Sequence, residues 1–522
     1  GVQQGDPLGP LLFCLVLHRV VSAIANDDEC ASLLFHKWYM DDGVVAGPIP
    51  AIARVLSIIQ ELGPQLGLYI NTAKCELFSA SDLSLFPIDM KKCNVPHFEI
   101  LGTPIGDMVF CAKYVAQKLA EATKLLKQLE EVGSIDPQVA LLLLRLCGSF
   151  CRLVHLARTT PPSLVSEAFV LFDDNVRRCF AECTAVDVPD TAWQQAQLSL
   201  GKGGFGLRCL SHHSYAAYIA SLSTSGLSPN ACKYLSNSID LYNSLVGPAD
   251  IINSLNNPLK QKLLSSKIED KQFWDLFHHA SLTNRARLLS ISSPYASTWL
   301  TVTPSPKQSL HLEPSEFQAA AKWWLGLPLT QGQCCPYCTP VALDEFGHHA
   351  LSCKHGGDVV SRHNMLRDTF VEFCHRACLG PQLEMGSGVG CYNQRTRPAD
   401  VLVPNWDLGR PAAFDLSVTS TLHSAILTEA SMTAGSAAFS AETRKHNRND
   451  DECKELGWVC IPLVVETYGC WGAEARQAFS RLASRLSTRL CQSKAQTSRE
   501  LYGRLGLTLV RANARAILSR TV

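Results

Sequence analysis

The spacing of apolar and polar positions changes character several times along the chain. Near its start, "GPLLFCLVLHRVVSAI" is an apolar stretch of helix length, entered through a loop containing Gly1, Gly5, Pro7, Gly9 and Pro10. "FHKWYM" and "VVAG" then read as short strands on either side of two aspartates, and "FEILGTPIGD" reads as strand, turn and strand. From about residue 110 to 225 the apolar spacing becomes three and four, as in "YVAQKLAEATKLLKQLEEV", which predicts helices. Residues 226–331 are mixed, with Ser/Asn/Pro clusters, and read as a helical connector. Period two returns in "DVLV" and "AAFDLSVTS", two strands joined by the turn-rich "PNWDLGRP". There Phe414, Leu416 and Val418 point one way while Asp415, Ser417 and Thr419 point the other. A polar helix and another apolar strand follow in "SAAFSAETRKHNRNDDECKELGWVCIPLVVE".

The chain has 522 residues, 46% apolar and 18% charged, which predicts a folded protein of several domains rather than a disordered one. "LLFCLVL" is short, preceded by Asp6 and closed by His18-Arg19, so no secretory signal is expected. "ALLLLRLCGSFCRLVHLA" is interrupted by Arg145 and Arg152, so no membrane span is expected. Those two arginines lie seven apart and are expected to share a helix face. Twenty-two cysteines without a secretory signal predict reduced thiols, some of them metal ligands, and a nuclear or cytoplasmic rather than secreted protein. Formal net charge is zero, yet 473–522 carries ten Lys and Arg against Glu474 and Glu500. Arg481, Arg485 and Arg489 recur every fourth residue and form one basic stripe, either a surface that tracks phosphates or a solvated helix face.

Asp41 and Asp42 admit two readings. Asp42-Gly43 is a type I′ turn with Asp41 solvated beside it. Alternatively, adjacent carboxylates repel unless cations neutralise them, which suits a divalent-metal site for phosphoryl transfer. "CCPYCTPVALDEFGHHALSC" offers Cys335, Cys338, His349 and Cys353, a spacing that suits tetrahedral Zn²⁺ in a closed structural site, with Cys334 and His348 as register alternatives. "GKGGFG" at 201–206 fits a dinucleotide fingerprint by letter only. No apolar strand precedes it, and a flexible turn between helices is the better account. Asp400, at the start of the "DVLV" strand, and Asp415, in the strand after it, either converge on one edge to bind Mg²⁺ or are two strand-end acids without a shared role.

The order of elements in the first hundred residues resembles the palm of a reverse transcriptase. Gly1 to Phe13 resembles its motif B, Tyr39-Met40-Asp41-Asp42 its Tyr-x-Asp-Asp motif, Gly67 to Glu76 its motif D, and Leu101 to Gly106 its primer grip. The resemblance implies Asp41 as a ligand of both catalytic Mg²⁺ (or Mn²⁺) ions, with Asp42 supporting the site. It implies Gln4 and Gly5 against template and nucleotide, and Arg145 and Arg152 against the template-primer backbone. Lys74 is either a general acid toward pyrophosphate or an ordinary exposed lysine. The chain opens inside motif B, and two-metal catalysis needs a third carboxylate from upstream, so this chain alone is expected not to polymerise DNA.

Residues 332 to about 480 resemble the zinc knuckle and restriction-like, PD-(D/E)xK endonuclease of site-specific non-LTR retrotransposons. Here Pro398-Ala399-Asp400 is one residue longer than the signature, and Ser417 stands where the family's lysine is expected. In some members that lysine migrates to the next helix, where Lys445 is the candidate and Arg444 a weaker stand-in. The resemblance implies catalysis by Asp400, Asp415 and Lys445. The expected fold is α+β and multidomain: a partial reverse-transcriptase palm (1–108), a helical thumb (109–225), a helical connector (226–331), a zinc knuckle (332–356), an α/β restriction-endonuclease-like domain (357–480) and a basic helical tail (481–522). The implied function is the C-terminal part of a retrotransposon protein, with RNA template, DNA target and primer as partners and Mg²⁺ and Zn²⁺ as cofactors. The alternative is a non-catalytic nucleic-acid-binding remnant.

Overall fold

The computed structural model describes residues 5–79, 82–93, 97–225, 232–255, 257–330, 332–338, 341–383, 399–407 and 409–521. These fall into two compact units, Gly1–Tyr114 and Val115–Val522. The first holds α1 (Gly9–Ala25), a hairpin of β1 (Phe35–Tyr39) and β2 (Asp42–Ala46), α2 (Ile49–Leu62), the parallel pair β3 (Glu76–Phe78) and β4 (Lys91–Cys93), and a second hairpin, β5 (Phe98–Ile100) and β6 (Thr103–Ile105). Its core gathers Val20 and Ile24 of α1, Val55 and Ile58 of α2, and Trp38 and Val45 of the hairpin. A salt bridge of 2.8 Å from Arg54 to Asp27 ties α2 to the turn after α1. Among the described residues the six strands make three two-stranded pieces rather than one palm sheet. The face of α1 bearing Leu8, Leu11, Leu12, Leu15 and Val16 is exposed.

The hairpin turns one step earlier than the Asp42-Gly43 reading requires. Tyr39 pairs with Asp42, so Met40 and Asp41 form the two-residue turn, Met40 with φ +55°. Gly43 is instead a packing position on β2: a Cβ there would lie 2.3 Å from the Trp38 ring. The β5–β6 turn has positive φ at both Leu101 and Gly102, as a type I′ turn demands.

From α3 (Met108–Ile135) the chain passes into the second unit. Its helices are α4 (Pro137–Leu143), α5 (Phe150–Thr159), α6 (Ser166–Thr184), α7 (Asp190–Gln197), α8 (Leu210–Ser223), α9 (Lys233–Ser244), α10 (Gln261–His279), α11 (Leu282–Ile291) and α12 (Pro314–Leu325). Sequence fixes several boundaries. Asp136 caps α4 through Val139 N, with Pro137 in the first turn. α12 opens with a Glu313/Glu316 capping box and ends at Gly326, φ +69°. The run Pro137–Thr159 is long and apolar enough to cross a membrane by length and composition, yet it is broken by a π-turn at Leu144–Gly148 and sits partly in the core. That break changes the helical phase between Arg145 and Arg152, so their spacing of seven does not place them on one face. The "GKGGFG" segment is not a loose turn either. Phe205 is fully buried, and Gly203 O accepts hydrogen bonds from Gln195 Nε2 and Trp324 Nε1.

The remainder of this unit is α13 (His348–Ser352), α14 (Asp358–Arg376), β7 (Gln382–Leu383), β8 (Val401–Asp407), β9 (Arg410–Thr419), α15 (Leu427–Ala430), α16 (Ser436–Glu455), β10 (Val459–Glu466), α17 (Ala473–Leu490) and α18 (Lys494–Thr521). The sheet order is β10-β9-β8-β7. β7, β8 and β9 run antiparallel, and β10 joins β9 in parallel after the α16 crossover. One face buries Val401, Phe414, Leu416, Leu463 and Val465 against α14, α17 and α18. The other meets α16 through Ala413, Cys460 and Cys453, and through Val464, Ala438 and Ala441.

Residues 481–522 are therefore no tail. The expected boundary falls inside α17, and α18 buries Leu501, Leu505 and Leu509 in the sheet's core, because its apolar positions outnumber what a solvated helix would carry. The connector is likewise joined to the sheet: Tyr295 stacks on Tyr502 at 3.8 Å, Trp323 on Tyr468 at 4.1 Å, and Arg515 pairs with Glu316 at 2.6 Å.

Candidate active site and metal centre

The register of β8 and β9 begins with Val401 opposite Phe414; just before it Asp400, in a bend, donates its N–H to Phe414 O at 2.9 Å, which brings Asp400 beside Asp415. Like charges brought together in this way repel. The strand alternation in β9 explains why: Phe414 and Leu416 go into the core, which leaves Asp415 on the α16 side. From α16, Lys445 Nζ donates to Asp415 Oδ1 at 2.6 Å and Asn449 Nδ2 to Asp415 Oδ2 at 2.6 Å. Lys445 and Asn449 are four apart and so share a helix face. Asp400 Oδ2 accepts from Leu416 N at 2.7 Å, and Oδ1 lies 3.3 Å from His363 Nε2 of α14. Both carboxylates open on a pocket of about 350 Å³ that Ser417 and Arg448 also line. Ser417 Oγ is buried without a hydrogen-bond partner among the described residues.

The two acids are pushed apart electrostatically. Burial alone would raise Asp400, but the His363 hydrogen bond and charge, with the Leu416 N–H, hold it below the usual carboxylate range. Burial, with the charge of Asp400, raises Asp415 despite Lys445 and Asn449. Hard carboxylate oxygens around a polar pocket are the donor set a Mg²⁺ or Mn²⁺ ion takes, and each oxygen keeps a lone pair beyond its present partner.

Cys335, Cys338, His349 and Cys353 come together, their ligand atoms all within 4.8 Å of one another. Cys353 Sγ lies 3.7 Å from Cys338 Sγ, close to the roughly 3.8 Å edge of a tetrahedron with Zn–S bonds of about 2.3 Å. His349 Nε2 is 3.1 Å from Cys338 Sγ. Burial would raise Cys335, but N–H donors at Tyr337 and Cys338 and the neighbouring thiol and imidazole hold it down to about 6. Four soft donors with a thiol poised to ionise fit Zn²⁺. Of the register alternatives, Cys334 is exposed, and His348 turns to Asp344 and Tyr468.

In the first unit Asp41 and Asp42 are both exposed at the hairpin, and no cluster of three metal-binding side chains forms around them among the described residues. Lys74 ends an exposed 3-10 turn before β3. Gly5 is described, with φ +93°, while Gln4 lies outside the described residues. Arg145 is half-buried and donates to Leu300 O at 2.8 Å, and burial lowers its pKa, whereas Arg152 is exposed. The stripe on α17 is largely committed to the protein. Arg481 pairs with Asp407 at 3.2 Å, and Arg485 donates to Asn405 O and Trp406 O and lies over the Trp406 ring, leaving Arg489 exposed. Trp406 carries the β8–β9 bend, so these arginines hold that bend.

Residues 1–105 match the sequence model of the family described as reverse transcriptase (RNA-dependent DNA polymerase). No curated protein matches the chain. The match supports a reverse-transcriptase segment whose family acts on RNA and DNA and uses Mg²⁺, and it is confined to the part of the chain that carries Asp41 and Asp42.

Proposed function

We propose that the chain is part of a retrotransposon protein in which a reverse-transcriptase segment is joined to a metal-dependent DNA endonuclease that nicks target DNA to prime reverse transcription. The observation that carries this reading is Asp400 and Asp415 lining one pocket with Lys445 Nζ 2.6 Å from Asp415. Asp400 and Asp415 would hold a Mg²⁺ ion, which would supply Lewis-acid polarisation of the phosphodiester and lower the pKa of a bound water. Lys445 faces the charge that develops on the phosphorane and orients the attacking water. His363 fixes the Asp400 carboxylate, and Asn449 fixes that of Asp415. Arg448, exposed at the pocket rim, steers a flanking phosphate. The Cys335 site holds Zn²⁺ as a structural ion. Incubation of the full chain with supercoiled plasmid and Mg²⁺ tests the reading: nicks are expected, and none with Asp400→Ala or Asp415→Ala. Wild-type cleavage by either variant would sink it.

A second reading is a nucleic-acid-binding protein without cleavage. It is favoured by the protein contacts of both carboxylates: each of the four oxygens already has a protein partner that a metal ion would have to share or displace. Salt-dependent DNA binding with no nicking at any Mg²⁺ or Mn²⁺ concentration would select it.

A further inference from the structure

Away from the acidic pair, the second unit buries a charge that no described residue neutralises. Arg287 of α11 is 6% exposed, and its partners are all uncharged: Asn284 Oδ1 at 3.0 Å from Nε, Gln195 Oε1 at 3.0 Å from Nη1, and Trp324 O. Gly326 admits the guanidinium, since a Cβ there would lie 2.6 Å from Nε. No carboxylate pairs with it among the described residues. The acid of this neighbourhood, Asp344, is spent on the amides of Phe346, His348 and His349. Burial pulls Arg287 down to about 10, so it is still cationic at neutral pH. An unpaired buried charge costs several kcal/mol, which an anion beside it would offset.

A pocket of about 70 Å³ adjoins Arg287, several times the ~10–15 Å³ that one water needs. Its lining includes Ser281 and Thr283 at the start of α11, the mutually hydrogen-bonded pair His348 and Tyr468, and Trp323, whose buried Nε1 has no acceptor among the described residues. Ser281, Thr283 and Asn284 bring the start of α11 to the pocket wall, with Ser281 Oγ capping Asn284 N. Fixed donors, a helix N-terminus and an uncompensated guanidinium are complementary to an oxyanion.

We propose that this pocket binds a terminal phosphate group, either inorganic phosphate or the 5′-phosphate of a nucleic-acid end. The site is separate from the acidic pair, so Asp400→Ala is expected to leave it intact. Thermal unfolding and calorimetry of the full chain test it with sodium phosphate against sodium chloride of equal ionic strength, and with a 5′-phosphorylated tetranucleotide against its 5′-hydroxyl form. Wild type is expected to be stabilised by phosphate or by the phosphorylated oligomer, and whichever responds identifies the source. Arg287→Met should abolish the response. Because that variant also loses packing, Thr283→Glu provides a second arm. It sets a carboxylate at the exposed rim, leaves Arg287 in place, and should weaken phosphate binding at least tenfold while raising the melting temperature without ligand. No response in wild type, an unchanged response in Thr283→Glu, or equal binding of the 5′-hydroxyl oligomer overturns the proposal.

Discussion

Replacing Lys445 by methionine separates the part this lysine plays in holding the fold from its part in cleavage. The Asp415 carboxylate is 12% exposed and the Lys445 side chain 24%, so the pair is mostly out of water without being dry. Removing one partner of a buried pair costs about 3–5 kcal/mol, and with this exposure the low end, about 3 kcal/mol, is expected. Asn449 remains as a donor to Asp415, but the two acids lose the ammonium that touches Asp415 directly. The variant should therefore gain more from a divalent cation than wild type does. At tenfold excess over its dissociation constant, Mg²⁺ contributes about 1.4 kcal/mol. Urea unfolding with and without Mg²⁺ measures both quantities. Nicking should fall by about 10²–10³-fold, the usual loss for one donor aimed at developing charge. Lys445→Arg should restore stability but not cleavage, because the guanidinium fork does not place a single proton donor at the same point. A Lys445→Met protein as stable as wild type, with no added response to Mg²⁺, would show that the ion pair is absent in solution. Wild-type nicking by that protein would remove the lysine from the reaction.

Other outcomes follow from particular contacts. Burial pushes Asp173 up to about 6 from 3.8, so the stability its protonated form contributes is present below about pH 4 and lost as pH rises through 6; buried His213, pushed down to about 3, has the opposite sense and loses stability as pH falls below 6.5. In Asp173→Asn the first effect is gone, and by urea unfolding the variant should lose about 3 kcal/mol relative to wild type between about pH 7 and pH 4. Cys353→Ser should lower bound zinc by one equivalent by elemental analysis and lower the melting temperature, and a chelator should do the same to wild type. Arg485→Ala should destabilise the chain by about 1–2 kcal/mol through its lost carbonyl bonds, whereas Arg489→Ala should leave stability alone and reduce the salt slope of DNA binding by about one, read by fluorescence anisotropy. Gly43→Ala should destabilise the first unit by at least about 1–3 kcal/mol by forcing the Trp38 ring out of place, detectable as a shift in tryptophan emission.

What could be read from residues alone was what local pattern controls. The alternation at Phe414, Asp415 and Leu416 gave the sidedness of β9, and the Cys and His spacing gave a cluster within ligand distance. The missing lysine beside Asp415 in β9 points to the next helix and to Lys445; Asn449, four residues further on the same face, follows only once Lys445 is placed. His363 carried no such signal, because α14 meets Asp400 only after the sheet has formed. The π-turn between Arg145 and Arg152 was hidden because apolar residues fill it, which makes the run look like one continuous helix. The stripe on α17 had the right phase, but phase does not say what a side chain meets, and two of its arginines meet the β8–β9 bend. α18 was mistaken for a tail because its arginines are conspicuous in sequence, while the leucines between them decide its position.

Lys445 reaches Asp415 from a helix whose start is clasped by a carboxylate of the last strand: Glu466 Oε1 accepts from Ala438 N, and Oε2 from Ser290 Oγ. One turn further on, Glu442 Oε1 accepts from Glu474 N at the head of α17. The distance from ammonium to carboxylate is thus decided by how α16 is clamped to its neighbours, and the length of the connection back to β9 has little say in it. Residues added at the exposed turn 423–425 would be absorbed as slack, whereas a single residue inserted between Glu442 and Lys445 would swing the lysine about 100° around the helix and out of reach. The geometry thus tolerates a longer turn there and fixes the count of residues within the helix.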